Sequence, residues 1–183
     1  MQCRQLGGLV VETGGAGSSR AACGPYPGGT NYMTDVGDLE ASFTCAARVG
    51  VGGSGKEEPI AAAISAISSP LTDDGSCNAG FSRPGALLVI VLVTDEDIEL
   101  DPLFSVIALA EAKGGDDRNI VFVALANGPD SGCDIDQDTR TAHGLADLVN
   151  LFSYGFLAPI CAPDYADIFS DAIDVATAAC APG

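Results

Sequence analysis

The chain has 183 residues, of which 47% are hydrophobic and 18% charged, enough apolar material for one sizeable core, and a single domain over residues 1–183 is expected. Acidic residues outnumber basic ones 25 to 8, for a formal net charge of −17 with no Lys/Arg cluster, which excludes a phosphate-backbone partner such as nucleic acid. The longest apolar run, Ala86 to Val93, falls far short of the roughly 18 to 20 residues that span a bilayer as a helix.

In chain order, Leu6 to Thr13 reads as a buried strand weakened by two glycines, and residues 14–30 as a Gly/Ser/Pro loop carrying Cys23. From Asp35 the spacing of Val36, Leu39, Phe43 and Ala47 predicts a short helix that carries Cys45. A glycine-rich turn over residues 50–55 leads into Lys56-Glu57-Glu58-Pro59, a helix start, followed by the stripe Ile60, Ile64, Ile67. Ala86 to Val93 is apolar on both faces, the pattern of a central strand in a parallel sheet, and it ends in Thr94-Asp95-Glu96-Asp97.

Asp101-Pro102 opens a helix stopped by Gly114-Gly115, and Asn119 to Ala126 forms the next strand. A helix between Thr139 and Phe152 turns Leu145, Leu148, Val149 and Phe152 inward; a short strand lies within Tyr154 to Ile160. The last helix, from about Asp164 to Cys180, has Ile168, Phe169, Ala172, Ile173 and Ala176 on one face. Strands alternating with helices predict a three-layer α/β/α, doubly wound, mostly parallel sheet.

Ligands of such sheets bind at the carboxyl ends of strands. Asp95, directly after the apolar run, is therefore the acid placed to meet a ligand; alternatively it bonds loop amides while Asp97 or Asp101 caps the next helix. Ser54 is the second candidate, able to bind a cation, although Ser54-x-x-Glu57 also has the form of a capping box. Asp134-x-Asp136-x-Asp138 imitates a calcium loop but lacks its glycine and its bidentate glutamate, and Asp138 reads better as a helix cap. His143 has no nucleophile motif beside it, and residues 50–55 lack the ending of a phosphate loop.

Seven cysteines without a Cys-x-x-Cys pair, and a single histidine, argue for disulfides in an oxidising compartment and against a zinc site. No signal peptide opens the chain, so the address of an exported protein is expected upstream.

Val10 to Gly17, Phe43 to Gly50 with Gly53-Ser54-Gly55, Phe81-Ser82-Arg83-Pro84 through Thr94-Asp95-Glu96-Asp97, and Ile160-Cys161 to Cys180 together resemble a secreted bacterial branch of the von Willebrand factor A superfamily. The likeness covers nearly the whole chain, and Thr94 to Asp97 is its most specific part. It implies a ligand-binding, adhesion-type domain in which an Asp-x-Ser-x-Ser loop, a threonine and an aspartate hold Mg2+, or Mn2+ or Ca2+, for a ligand carboxylate to complete. Asp95 matches the third-loop aspartate, and Ser54 falls near the second-loop position.

The departures are specific. No Asp-x-Ser-x-Ser occurs, and Leu6 to Thr13 resembles the family's second strand, so the first, central strand and its metal loop are expected to precede Met1 and the metal site to be incomplete. Ile98 stands where this branch often has a cysteine, which leaves Cys77 free; Cys161 with Cys180 and Cys23 with Cys45 are the expected bridges. The expectation is a monomeric, extracellular or cell-envelope module that binds a protein or other extracellular ligand and is not an enzyme. The alternatives are a metal-assisted hydrolase using Asp95 with Glu96 or Asp97, and a structural remnant without a site.

Overall fold

The computed structural model describes residues 3, 5–52, 56–133 and 141–181. Two compact units are present: Met1–Glu57 with Ser65–Ser82, and Glu58–Ile64 with Arg83–Gly183.

The first unit has little regular structure. Leu6 to Thr13 is not a strand: Gly7 sits at φ +82°, outside the range of extended backbone, and the segment's β-pairing is the single antiparallel bridge Glu12 to Ala22. Asn78, fully buried, organises this region instead. Its side chain accepts from Leu9 N–H at 3.1 Å and donates to the carbonyls of Gly7 and Ala66 at 2.8 Å each. Helix α1, Leu39–Ala47, is capped by Asp38, whose carboxylate accepts from Ala41 N–H. The helically spaced Val36, Leu39 and Phe43 are exposed. Disulfides Cys3–Cys77 and Cys23–Cys45 close this unit, and its buried apolar side chains among the described residues are few: Tyr26, Ile67 and Leu71.

Helix α2, Pro59–Ala66, begins where proline at the first turn predicts, with Ile60 buried. Residues 65–66 of it belong to the first unit.

The second unit is a three-stranded parallel sheet in the order β1-β2-β3, formed by Leu88–Val93, Ile120–Ala126 and Gly155–Pro159. The register pairs Leu88 with Ile120 and Phe122 with Gly155. Every residue of β2 is buried, because strands flank it on both edges and helices cover both faces. On one face, Val121, Val123 and Leu125 pack with Ala158 and with Ala172 of helix α5, Ala166–Ala179. On the other, Phe122 stacks on Phe152 with ring centroids 4.9 Å apart, at the end of helix α4, His143–Leu151. Leu145, Leu148 and Val149 are buried as the helical spacing requires. Of the apolar residues that share one face of α5, Ala172 is buried, whereas Phe169 and Ile173 are exposed.

Helix α3, Pro102–Ala112, starts on Asp101, whose carboxylate accepts from Phe104 N–H, and stops before Gly114-Gly115. The Lys113 ammonium, at 4% exposure, donates to the carbonyl of Arg83; burial and then the Arg83 charge lower its pKa.

Strand β1, expected at the centre of a sheet, is an edge among the described strands. Leu88, Ile90 and Leu92 are half-buried, whereas Val89, Val91 and Val93 are 47%, 49% and 59% exposed.

The end of α4 runs so close beneath β3 that a Cβ at Gly155 would stand 2.0 Å from the Val149 carbonyl oxygen. A main-chain oxygen cannot swing aside as a side chain can. Gly155→Ala is expected to cost about 3 kcal/mol, the upper end of overpacking effects, in urea denaturation; a cost within a few tenths would show that helix and strand are not so closely held.

Candidate functional site

The carboxyl edge of the parallel sheet gathers three segments: the turn after β1, the loop after β2, and the start of α4. Thr94 continues the sheet by donating its N–H to Leu125 at 3.1 Å, and its buried hydroxyl accepts from Glu96 N–H at 3.1 Å. That local turn turns Asp95 and Glu96 to solvent.

Asp97 is held differently. One carboxylate oxygen accepts from Ile98 N–H at 2.8 Å and Leu145 N–H at 2.9 Å, the other from Gly144 N–H at 3.0 Å. It is the cap of α4, whose own N-cap position, Ala142, has no side chain able to accept. The expected choice of cap for the next helix resolves to Asp101 on α3, while Asp97 crosses to the helix after that.

After β2, Asn127 is buried; its carbonyl accepts from Ala142 N–H at 2.8 Å and its side-chain oxygen from the Ser131 hydroxyl at 2.6 Å. The Ser131 hydroxyl also accepts from Cys133 N–H, and Cys133 is bonded to Cys161 just beyond β3. The loop after β2 is thereby tied to the end of β3.

Between this loop, the exposed side of α4 and the end of β3 lies a cavity of ≈ 380 Å³. Asp130, Asp147 and Asn150 provide its polar wall, Leu157 and Pro159 its apolar one. That volume lies within the range of small-ligand sites. Two carboxylates accept only and a carboxamide both accepts and donates, a set that complements an ammonium or guanidinium group. A second cavity, ≈ 360 Å³, is lined by Cys3 and residues 8–14 of the first unit.

Asp95 lies exposed at the end of β1. Ser54, and with it the capping box to Glu57, lies outside the described residues, as do Asp134, Asp136 and Asp138. His143 is the exposed first residue of α4. Among the described residues no group of three or more His, Cys, Asp or Glu side chains is placed to hold a metal ion. The Asp97 carboxylate is engaged by three main-chain N–H groups.

The cysteine expectations need correction. Cys23 is bonded to Cys45, but Cys161 is bonded to Cys133 in place of Cys180, and Cys77 is bonded to Cys3 instead of being free. Cys180 is the exposed free thiol. The 14 residues of α5 extend about 21 Å and carry Cys180 away from the carboxyl edge where Cys161 lies. A disulfide requires Cα atoms within about 7 Å.

Asp130, Asp147 and Asn150 escaped the sequence reading. The strand-end rule that singled out Asp95 applies equally to Asn127-Gly128-Pro129-Asp130-Ser131 after β2, and Asp147 and Asn150 have the i, i+3 spacing of one helix face. Comparison with family models, with curated proteins and with solved structures finds no match.

Proposed function

We propose that this chain is a binding module of von Willebrand factor A type from an exported protein, which holds a protein or other extracellular ligand at the carboxyl edge of its parallel sheet. The carrying observation is the cavity walled by Asp130, Asp147 and Asn150 at the ends of β2 and β3. Its polar side chains are the Asp130 and Asp147 carboxylates, the Asn150 amide and the Ser131 hydroxyl, which donates to Asn127 and has no base beside it, a set that favours recognition over catalysis. The acidic character of the chain favours a cationic feature on the ligand, a lysine or arginine side chain above all. Three disulfides support an oxidising compartment, and no helix among the described residues is long and apolar enough to cross a membrane. No step is assigned to a metal ion.

The test is calorimetric titration with short peptides carrying lysine or arginine beside an apolar residue, against otherwise identical peptides carrying norleucine. The basic peptides bind, and Asp130→Asn with Asp147→Asn weakens them at least tenfold while leaving the fold intact. Equal affinity for the norleucine peptides, or no effect of the paired substitution, overturns the assignment.

A further inference from the structure

The cavity walled by Asp130, Asp147 and Asn150 is built from parts that are anchored differently. Asp147 and Asn150 stand on α4, which buries Leu145, Leu148 and Val149, and Leu157 and Pro159 belong to β3, which is paired with β2. Gly128, Pro129, Asp130 and Ser131 belong instead to the loop after β2, in no helix or strand.

The hydrogen bonds of that loop close on itself. Ser131 N–H donates to the Gly128 carbonyl at 3.1 Å, the Ser131 hydroxyl to Asn127 Oδ1 at 2.6 Å, and Cys133 N–H to Ser131 Oγ at 3.2 Å. Among the described residues no hydrogen bond of residues 128–133 reaches α4 or β3. The bond from Cys133 to Cys161, 28 residues apart in sequence, is what joins the loop to the other side of the cavity. Each half-cystine lies two residues from a residue of the cavity wall, Cys133 from Ser131 and Cys161 from Pro159.

Two further features set this disulfide apart. Cys161 is exposed, whereas Cys3, Cys23, Cys45, Cys77 and Cys133 are half-buried. The core beneath it is held by other means: β2 is buried along its whole length, Val121, Val123 and Leu125 pack with α5, and Phe122 stacks on Phe152. Opening the bond therefore frees the loop without unfolding the sheet.

We propose, resting on the reading of this cavity as the ligand site, that Cys133–Cys161 is its redox switch, closed in the oxidised chain and opened by a dithiol reductant. A thiolate of the dithiol attacks the exposed Cys161 sulfur, the S–S bond breaks, and Cys133 leaves as a thiolate that takes up a proton. The second thiol of the reductant then displaces Cys161, so the reductant ends as a cyclic disulfide and the chain as two thiols. Asp130 is no longer held in the wall it shares with Asp147 and Asn150. A cationic ligand must then order the loop in order to bind, and that entropy opposes association; the closed disulfide removes the cost.

Calorimetric titration with the lysine and arginine peptides compares the oxidised chain with the double variant Cys133→Ser/Cys161→Ser. Affinity falls at least tenfold in the double variant, while amide exchange at Val123 and Leu125 stays as slow as in the parent. Asp130→Asn weakens binding in the parent but changes it less than twofold in the double variant, because position 130 has already left the wall. Limited treatment with dithiothreitol, with mass mapping of the alkylated thiols, opens Cys133–Cys161 before the other two bonds and lowers affinity by the same factor; reoxidation restores it. If the oxidised chain binds and the double variant binds equally well, the switch is overturned and the site stands. An oxidised chain that ignores the basic peptides overturns both. The switch also fails if Val123 and Leu125 exchange fast in the double variant, which would make the bond a requirement of the fold, or if another disulfide opens first.

Discussion

Replacing both Cys3 and Cys77 by serine is expected to destabilise the first unit by about 4 kcal/mol, the chain-entropy value for a loop closed over 74 residues of sequence. The reason is the poverty of that unit in other constraints. Its helix α1 buries no residue, and among the described residues its β-pairing consists of two isolated bridges and its buried apolar side chains are Tyr26, Ile67 and Leu71. Small, loop-rich folds of this kind depend on covalent closure, because the apolar surface removed from water barely offsets the entropy of ordering the chain. Cys77 also adjoins Asn78, whose three hydrogen bonds hold Leu9, Gly7 and Ala66 in place. Loss of the bond should therefore abolish slow exchange at the Leu9 amide, and it should shift the denaturant midpoint read from the buried Tyr26. An unchanged Leu9 amide in the double serine variant would mean that hydrogen bonds alone suffice.

Asp97→Ala is expected to cost about 2–3 kcal/mol, more than an ordinary helix-cap deletion, because one carboxylate satisfies three main-chain donors and bridges elements far apart in sequence. Negative charge at the first turn of α4 adds the favourable interaction with the helix dipole. Asp97→Asn keeps one acceptor and loses the charge, so it should lie between the parent and the alanine variant. Asp95→Ala, two residues away on an exposed turn, should change stability by only a few tenths of a kcal/mol. Chemical denaturation of the three variants checks the ordering; equal effects at positions 95 and 97 would show that the tertiary cap contributes nothing. The 97 variants should also leave the Asp101 cap on α3 intact, since that bond is local.

The structure gives the strand-end acids separate roles. Asp95 keeps its carboxylate in solvent, where a ligand could meet it, while Asp97 is consumed in positioning α4 and thereby the helix face that carries Asp147 and Asn150. The cavity joins the ends of β2 and β3, one step along the sheet from the end of β1.

What was legible from residues alone follows their local character. The uninterrupted apolar runs became β1 and β2, the Asp-Pro opening and Gly-Gly stop bounded α3, and the helical spacing of Leu145, Leu148, Val149 and Phe152 located the buried side of α4. Each signal is a period or a terminus written within a few residues. The exceptions are also local patterns, overruled by their surroundings. Leu6 to Thr13 has strand-forming residues but no ladder to join, and Val36, Leu39 and Phe43 keep helical spacing without a core to enter.

Amino-acid order by itself thus determined the alternation of parallel strands and helices and the candidacy of carboxyl-edge acids, since both depend on side-chain periodicity and on chain direction. Tertiary structure alone decided which cysteines meet, that Asp97 caps a helix 46 residues downstream, and that β1 stands at an edge among the described strands. These are matters of distance between segments remote in sequence: a disulfide, a cap or a strand pair forms only where folding brings two groups within bonding reach, and neither partner carries a mark of the other.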